Sequence, residues 1–155
     1  MAGAKLKKGD ILAISDSAQA AMPADNAAFE LLTMIPVSNV VTAPSFGYTT
    51  NVQRHNYLDT VLTNPEKGFS DGADSQIVYG IDPDGDAGQT QMVAASSPSD
   101  TGKYVISITR LDGTVTYAWG LISSAEATGG GGEDFNERTH NFVQAALEVT
   151  YTPTP

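Results

Sequence analysis

KYVISITRLDGTVTYAWGLISS, residues 103–124, decides the fold class. In its first half Tyr104, Ile106 and Ile108 alternate onto one face. In its second half Val115, Tyr117, Trp119 and Leu121 alternate against smaller residues. Side chains of an extended chain leave on opposite faces in turn, so a period of two built from β-branched and aromatic residues marks a strand. Asp112-Gly113 stands between the two runs. That dipeptide closes hairpins, because a tight connection needs positive φ at its centre. The stretch therefore predicts two antiparallel strands and their turn.

The same period returns downstream. Residues 142–151, FVQAALEVTY, would place Val143, Ala145, Leu147, Val149 and Tyr151 on one face. Four consecutive glycines, residues 129–132, fall between these strands and predict a mobile Gly-rich loop over 129–134. Upstream, residues 11–15, 48–58 and 76–81 read as strands. Residues 27–41, AAFELLTMIPVSNVV, read as strands on both sides of a bend, since Pro36 opposes a continuous helix. Residues 59–75, rich in Asn, Pro, Gly and Asp, read as a long loop. Residues 86–96 are the helix candidate: Asp82, Asp84 and Asp86 supply capping and favourable charge at its start, and Pro98 stops it. The expected fold is mainly β, a β-sandwich or barrel-like domain with one short packed helix. A single domain is expected over residues 10–152, with a flexible arm over 1–9 and a short tail over 153–155. There is no internal repeat.

Composition narrows the function. Hydrophobic residues make up 41% and charged residues 17% of 155, the balance of a folded domain with a core. No apolar run approaches the ~20 residues of a membrane helix, and no apolar segment follows the basic start, so neither membrane insertion nor a secretory signal is expected. Without cysteine there are no disulfides, thiolate metal sites or thiol nucleophiles. Eight Lys and Arg face eighteen Asp and Glu, a net charge of -10. Lys5, Lys7, Lys8 and Asp10 lie in the first ten residues, so the rest carries five basic and seventeen acidic residues, a net of -12. Proteins that grip nucleic acid set Lys and Arg against phosphate. Such a body would repel DNA, and the same charge also serves solubility alone.

The chemistry-bearing residues do not form a familiar site. Asp82-Pro-Asp84-Gly-Asp86 resembles the opening of a calcium loop, but the sixth and twelfth positions are Ala87 and Val93, where such a loop needs Gly and a bidentate Glu. Helix capping accounts for these acids, and no metal or other cofactor is expected. His55 and His140 stand far apart with few partners near them in sequence. Ser96-Ser97 and Ser123-Ser124 lack an evident base, and no HExxH, GxSxG or P-loop pattern occurs. Trp119, inside a strand pattern, reads as core. The tetraglycine lacks a following Lys and precedes Glu133-Asp134, which disfavours anion binding. No catalytic residue is assigned, and the chain is not expected to be an enzyme.

Residues 112–126, DGTVTYAWGLISSAE, resemble the hairpin strand of the lambda-type siphophage tail tube proteins: an Asp or Asn turn followed by Gly-Thr-Val, a glycine in mid-strand (Gly120), then a Ser pair (Ser123-Ser124). A strand of the KYVISITRL type precedes it and a closing strand over 137–151 follows. The order upstream also resembles that family: a short first strand, a long hairpin, a long loop, another strand and a short helix. The likeness covers most of residues 10–151. The tetraglycine insertion departs from it, and no additional immunoglobulin-like domain is expected. The resemblance implies rings, hexameric in the family, stacked into a hollow tube in the virion tail, with each subunit adding strands to a continuous inner barrel. It implies assembly in the host cytoplasm, partnership with further copies and with tape measure, terminator and baseplate proteins, and passage of DNA without specific binding. On that picture Lys5, Lys7 and Lys8 with Asp71 and Asp74 are candidates for ring-to-ring contact. Glu30, Glu126 and Glu148 are candidates for the channel wall. Two alternatives stand beside it: a monomeric β-sandwich ligand-binding module built around Asp82–Asp86, and another tail component, a terminator or baseplate hub, of the same fold.

Overall fold

Residues 10–55, 64–128 and 136–152 are described by a computed structural model. In chain order the elements are β1 (Ile11–Ser15), α1 (Asn26–Glu30), β2 (Met34–Val37), β3 (Val40–Thr42), β4 (Tyr48–His55), β5 (Asn64–Gly72), β6 (Asp74–Gly80), α2 (Ala87–Ala95), β7 (Tyr104–Thr109), β8 (Val115–Ile122), β9 (Glu126–Thr128), β10 (Glu137–Gln144) and β11 (Val149–Tyr151). The decisive hairpin forms as predicted. β7 and β8 pair antiparallel from Tyr104–Gly120 to Thr109–Val115, and Gly113 at φ 90° donates its N–H to the Arg110 carbonyl at 2.9 Å.

The large sheet runs β2-β1-β7-β8-β10-β6-β3, entirely antiparallel, with β11 added to β8 and β9 to β10. Its two edge strands, β2 and β3, are consecutive in the chain, separated only by Ser38 and Asn39. The sheet therefore curls until its opposite edges are served by one continuous segment, although no ladder closes it into a barrel. Asn39 turns the corner at φ 61°. The seam is stapled from α2: Asp86 accepts from the Ser38 N–H at 3.2 Å and the Ser38 hydroxyl at 2.9 Å, while the Gln89 carboxamide donates to the carbonyls of Ser38 (3.0 Å) and Gly80 (2.9 Å).

Two slips in register bend the sheet further. From the Gly120–Gln144 pair to the Tyr117–Val149 pair, β8 spends three residues and the returning chain five. From Ile122–Phe142 to Glu126–Thr139, the outgoing chain spends four and the returning chain three. Unequal spending of this kind kinks and twists a ladder.

The core lies in two layers because β7 and β8 are covered on both faces. Inside the curl, Ile14, Ile77, Tyr79, Ile106 and Phe142 are fully buried with Met92 of α2. On the opposite face Phe29, Val105 and Tyr117 are buried, with Phe29 and Tyr117 stacked at 4.3 Å and Met34, Trp119, Val149 and Tyr151 around them. Burying such a side chain contributes about 1.5–3 kcal/mol, so these layers hold the sheet.

The fold class is the expected one, with α2 as the packed helix and Asp86 as its N-cap, accepting from the Gln89 N–H at 3.1 Å. Three local expectations need correction. Residues 26–30 form a single helical turn instead of a strand, because Asp25 caps the Ala28 N–H at 2.9 Å and Phe29 fills the outer layer. Pro36 lies within a strand, at the sheet edge where a missing N–H is tolerated. In the stretch read as a loop over 59–75, residues 64–72 are strand β5 and residues 74 and 75 begin β6. Pairing with β4 extends β5, and since both of its faces are open it needs no apolar alternation. The tetraglycine, the arm over 1–9 and the tail over 153–155 lie outside the described residues.

Candidate functional site

Among the described residues, strands β4 and β5 form a separate two-stranded ribbon that joins no other strand. Their ladder runs from Tyr48–Gly72 to His55–Asn64, with an irregularity between Thr50 and Val52, and the hydroxyls of Thr50 and Ser70 meet across it at 2.7 Å. Almost every described side chain of the ribbon is exposed. Three of them are large and apolar: Tyr48 is 61% exposed, Val52 57% and Phe69 85%. A two-stranded ribbon with no covered face is marginally stable by itself. Exposed aromatics on such a ribbon are the kind of surface that marks contact with another macromolecule.

The ribbon is anchored at its root by Gln144, the last residue of β10, which is 3% exposed. Its Oε1 accepts from the Gly47 N–H at 2.8 Å, just before β4. Its Nε2 donates to the Ala146 carbonyl at 2.7 Å and to Glu148 Oε2 at 2.8 Å. Its backbone N–H donates to the Ala73 carbonyl at 2.9 Å, just after β5, and the Ala73 N–H donates to the Gly47 carbonyl at 2.9 Å. Glycines let the backbones approach here. A Cβ at Gly72 would lie 1.8 Å from the Gln144 carbonyl oxygen, and one at Gly120 would lie 2.1 Å from the Val143 carbonyl oxygen. Two open clefts flank the root. One of about 430 Å³ is lined by Tyr48, Lys67, Asp71, Gln144 and Leu147 among others. The other, of about 580 Å³, is lined by Phe46, Tyr48, Thr49, Asp74 and Gln76 among others.

The period-two reading grouped Val143, Ala145, Leu147, Val149 and Tyr151 on one face and left Gln144 on the other, where a polar side chain gives no core signal. The buried residues of β10 are His140, Phe142 and Gln144, while Leu147 is 60% exposed. β10 ends at Gln144 and β11 starts only at Val149, so no strand holds Leu147 inward. Phe142, fully buried two residues before Gln144, was the signal for that face.

The named acids are dispersed. Asp71 and Asp74 are exposed in β5 and at the start of β6, on either side of the ribbon's root. Lys5, Lys7 and Lys8 lie outside the described residues. Glu30 is exposed at the end of α1, accepting from Asn26 at 3.2 Å; Glu126 is exposed in β9; Glu148 is half-buried against Gln144. Asp82 accepts from the Asp84 N–H at 2.9 Å. Among the described residues no group of three or more His, Asp or Glu is placed to hold a metal. Hydrogen bonds from Ser38 and Gln89 outweigh the effect of burial on Asp86 and hold its carboxyl below the usual range.

His140 is fully buried and fully partnered: Nε2 lies 2.8 Å from the Tyr79 hydroxyl and Nδ1 2.7 Å from the Ser124 carbonyl. A neutral ring with its proton on Nδ1 satisfies both contacts. Burial depresses His140 against the Ser124 bond, and nearby Arg138 adds to the depression. Burial also pushes Tyr79 up to about 12, with Arg138 opposing. Ser124 Oγ accepts from the Asn141 N–H at 3.2 Å, and Ser96 donates to the Val93 carbonyl at 2.9 Å. Trp119 packs in the outer layer, its N–H on the Gln19 carbonyl at 3.1 Å. These residues hold structure together, and no helix among the described residues is long and apolar enough to cross a membrane.

No family model and no curated protein sequence matches the chain. Solved structures do. A chain of the 6-fold symmetrised baseplate of the anti-feeding prophage superposes with a TM-score of 0.64 at 10% identity, covering 98% of both chains. The SPP1 tail tube gives a TM-score of 0.58 at 13% identity, covering 98% of this chain and 81% of the other. The sheath/tube terminator of the extracellular contractile injection system PVC, in its extended state, gives 0.55 at 13% identity over 92% and 93%. At such identities the likeness is one of fold.

Proposed function

We propose that this chain is a structural, non-catalytic subunit of a phage-type tail, assembling through cyclic contacts into rings that stack as a tail tube. The observation that carries the reading is the β4–β5 ribbon, an uncovered arm that exposes Tyr48, Val52 and Phe69, on a fold shared along 98% of the chain with a tail tube protein. Head-to-tail contacts that close on themselves make a ring, and a second surface stacks rings into a filament. Strand pairing between neighbours would give the ribbon the partners it lacks, as strands of an inner barrel do. The hexameric ring and the lambda-type siphophage relationship belong to this proposal, as do the virion location and cytoplasmic assembly. So does pairing of Lys5, Lys7 and Lys8 with Asp71 and Asp74 between rings, a contact that salt weakens.

The acidic body suits a DNA conduit. Like charge on a wall leaves no trap for phosphate, and in physiological salt its repulsion reaches only about 8 Å, which keeps DNA off the surface without barring passage. Glu30, Glu126 and Glu148 are the proposed channel acids.

A second reading, a baseplate or terminator ring of the same fold, is favoured by the 98% two-way coverage of the baseplate chain. Sedimentation and electron microscopy of the purified protein over a range of concentrations separate the two. Rings that stack into tubes support the tube. Single rings that never stack support the baseplate or terminator. Monomer at every concentration, with and without other tail components as nuclei, overturns both.

A further inference from the structure

We propose that Gln144 is the positioning residue for self-association: its carboxamide locks the β4–β5 ribbon to the curled sheet at one orientation, independently of the stability of the sheet itself. The inference rests on the proposed assembly role of the ribbon. The ribbon has no lateral pairing with the large sheet, so its direction is set where it leaves the sheet. Both strands leave beside Gln144. The side chain holds the entry at Gly47, and the backbone holds the exit at Ala73. The same carboxamide also holds Ala146 and Glu148 in the slipped segment that leads to β11.

The chemistry of the site requires an amide. Oε1 must accept and Nε2 must donate twice, and one of its acceptors is a carboxylate. A carboxylate in its place sets an oxygen against the Ala146 carbonyl and against Glu148, two acceptors facing an acceptor. Glu148 in turn needs only to accept, a role that glutamine fills. The two positions thus respond oppositely to exchange of amide and acid. A residue that merely packed in the core would not show that asymmetry.

Amide hydrogen exchange on the full chain, read beside its assembly by sedimentation, tests this with Gln144→Glu and Glu148→Gln. The expected result for Gln144→Glu is loss of protection by roughly tenfold, the weight of one hydrogen bond, at Gly47, Ala73 and the ribbon amides. Strand β1, three strands away from β10 in the sheet, should change by less than about twofold, as distant independent sites do, and assembly should fail. Glu148→Gln should keep both protection and assembly. If Gln144→Glu does not fold, Gln144→Ala gives the same readout without the charge. Unchanged ribbon protection overturns the proposal, and so does equal loss in ribbon and core. Selective loosening with normal assembly overturns the link to self-association. If the unaltered chain never assembles, the tube reading fails alone, and the exchange data still decide whether Gln144 is the lock.

Discussion

The β7–β8 and β4–β5 hairpins are both two-stranded antiparallel ladders of similar length, yet they sit in opposite surroundings. Between β7 and β8 most side chains are buried and the rest are half-buried, with one aromatic and aliphatic layer inside the curl and another outside it. Between β4 and β5 no described side chain is buried, and Phe69 stands 85% exposed. Backbone pairing is present in both, so pairing alone does not separate a core from an arm. Cover does. The net worth of a ladder hydrogen bond is small because water offers the same groups partners, whereas apolar burial has no such competitor.

The strongest way to break the comparison is to empty the covered side. Phe142→Ala removes a fully buried ring that packs edge-on against Phe46 and should cost about 3–5 kcal/mol, read as a fall in the denaturation midpoint of the whole domain. A domain that keeps its midpoint would mean that the inner layer does not carry the fold. Acid probes the same side more gently. The imidazole of His140 has its ordinary value of 6.5 in the unfolded chain and a lower one when buried, so its contribution is complete above pH 6.5 and is lost as pH falls through the folded value. Stability should decline there by at most about 1.4 kcal/mol per pH unit, and His140→Gln should flatten that part of the profile. An unchanged slope in the variant would assign the decline to other groups. The smallest effect belongs to the uncovered side. Phe69→Ser should move monomer stability by no more than about 0.5 kcal/mol while abolishing ring formation seen by electron microscopy. Normal rings would remove the ribbon from the interface.

How much the sequence revealed follows the same division. Wherever burial imposes alternation, the pattern was legible: β1, β7, β8 and their Asp112-Gly113 turn stand where residues 11–15 and 103–124 predict them. The α2 cap at Asp86 was legible because a local hydrogen bond specifies it. Strand β5 was not, since NPEKGFSDG is composed like a loop and only its partner extends it. The last strand was harder for a different reason: it is interrupted over residues 145–148 between β10 and β11, and it is packed on both faces, Phe142 in the inner layer and Val149 and Tyr151 against the outer one. Gln144, the anchor of the candidate site, is polar and stands on the Phe142 face, so apolar alternation did not mark it.

The curl of the sheet carries a consequence for behaviour in concentrated solution. Open strand edges invite further strands, and the outcome can be fibrils as easily as ordered complexes. The two edges here are short: β2 has four residues and includes Pro36, which offers no N–H, and β3 has three with an irregular register. Among the described residues the longest free edges are those of the ribbon, eight residues in β4 and nine in β5. Indiscriminate aggregation is thereby discouraged at the body of the molecule, and strand addition is channelled to a single appendage.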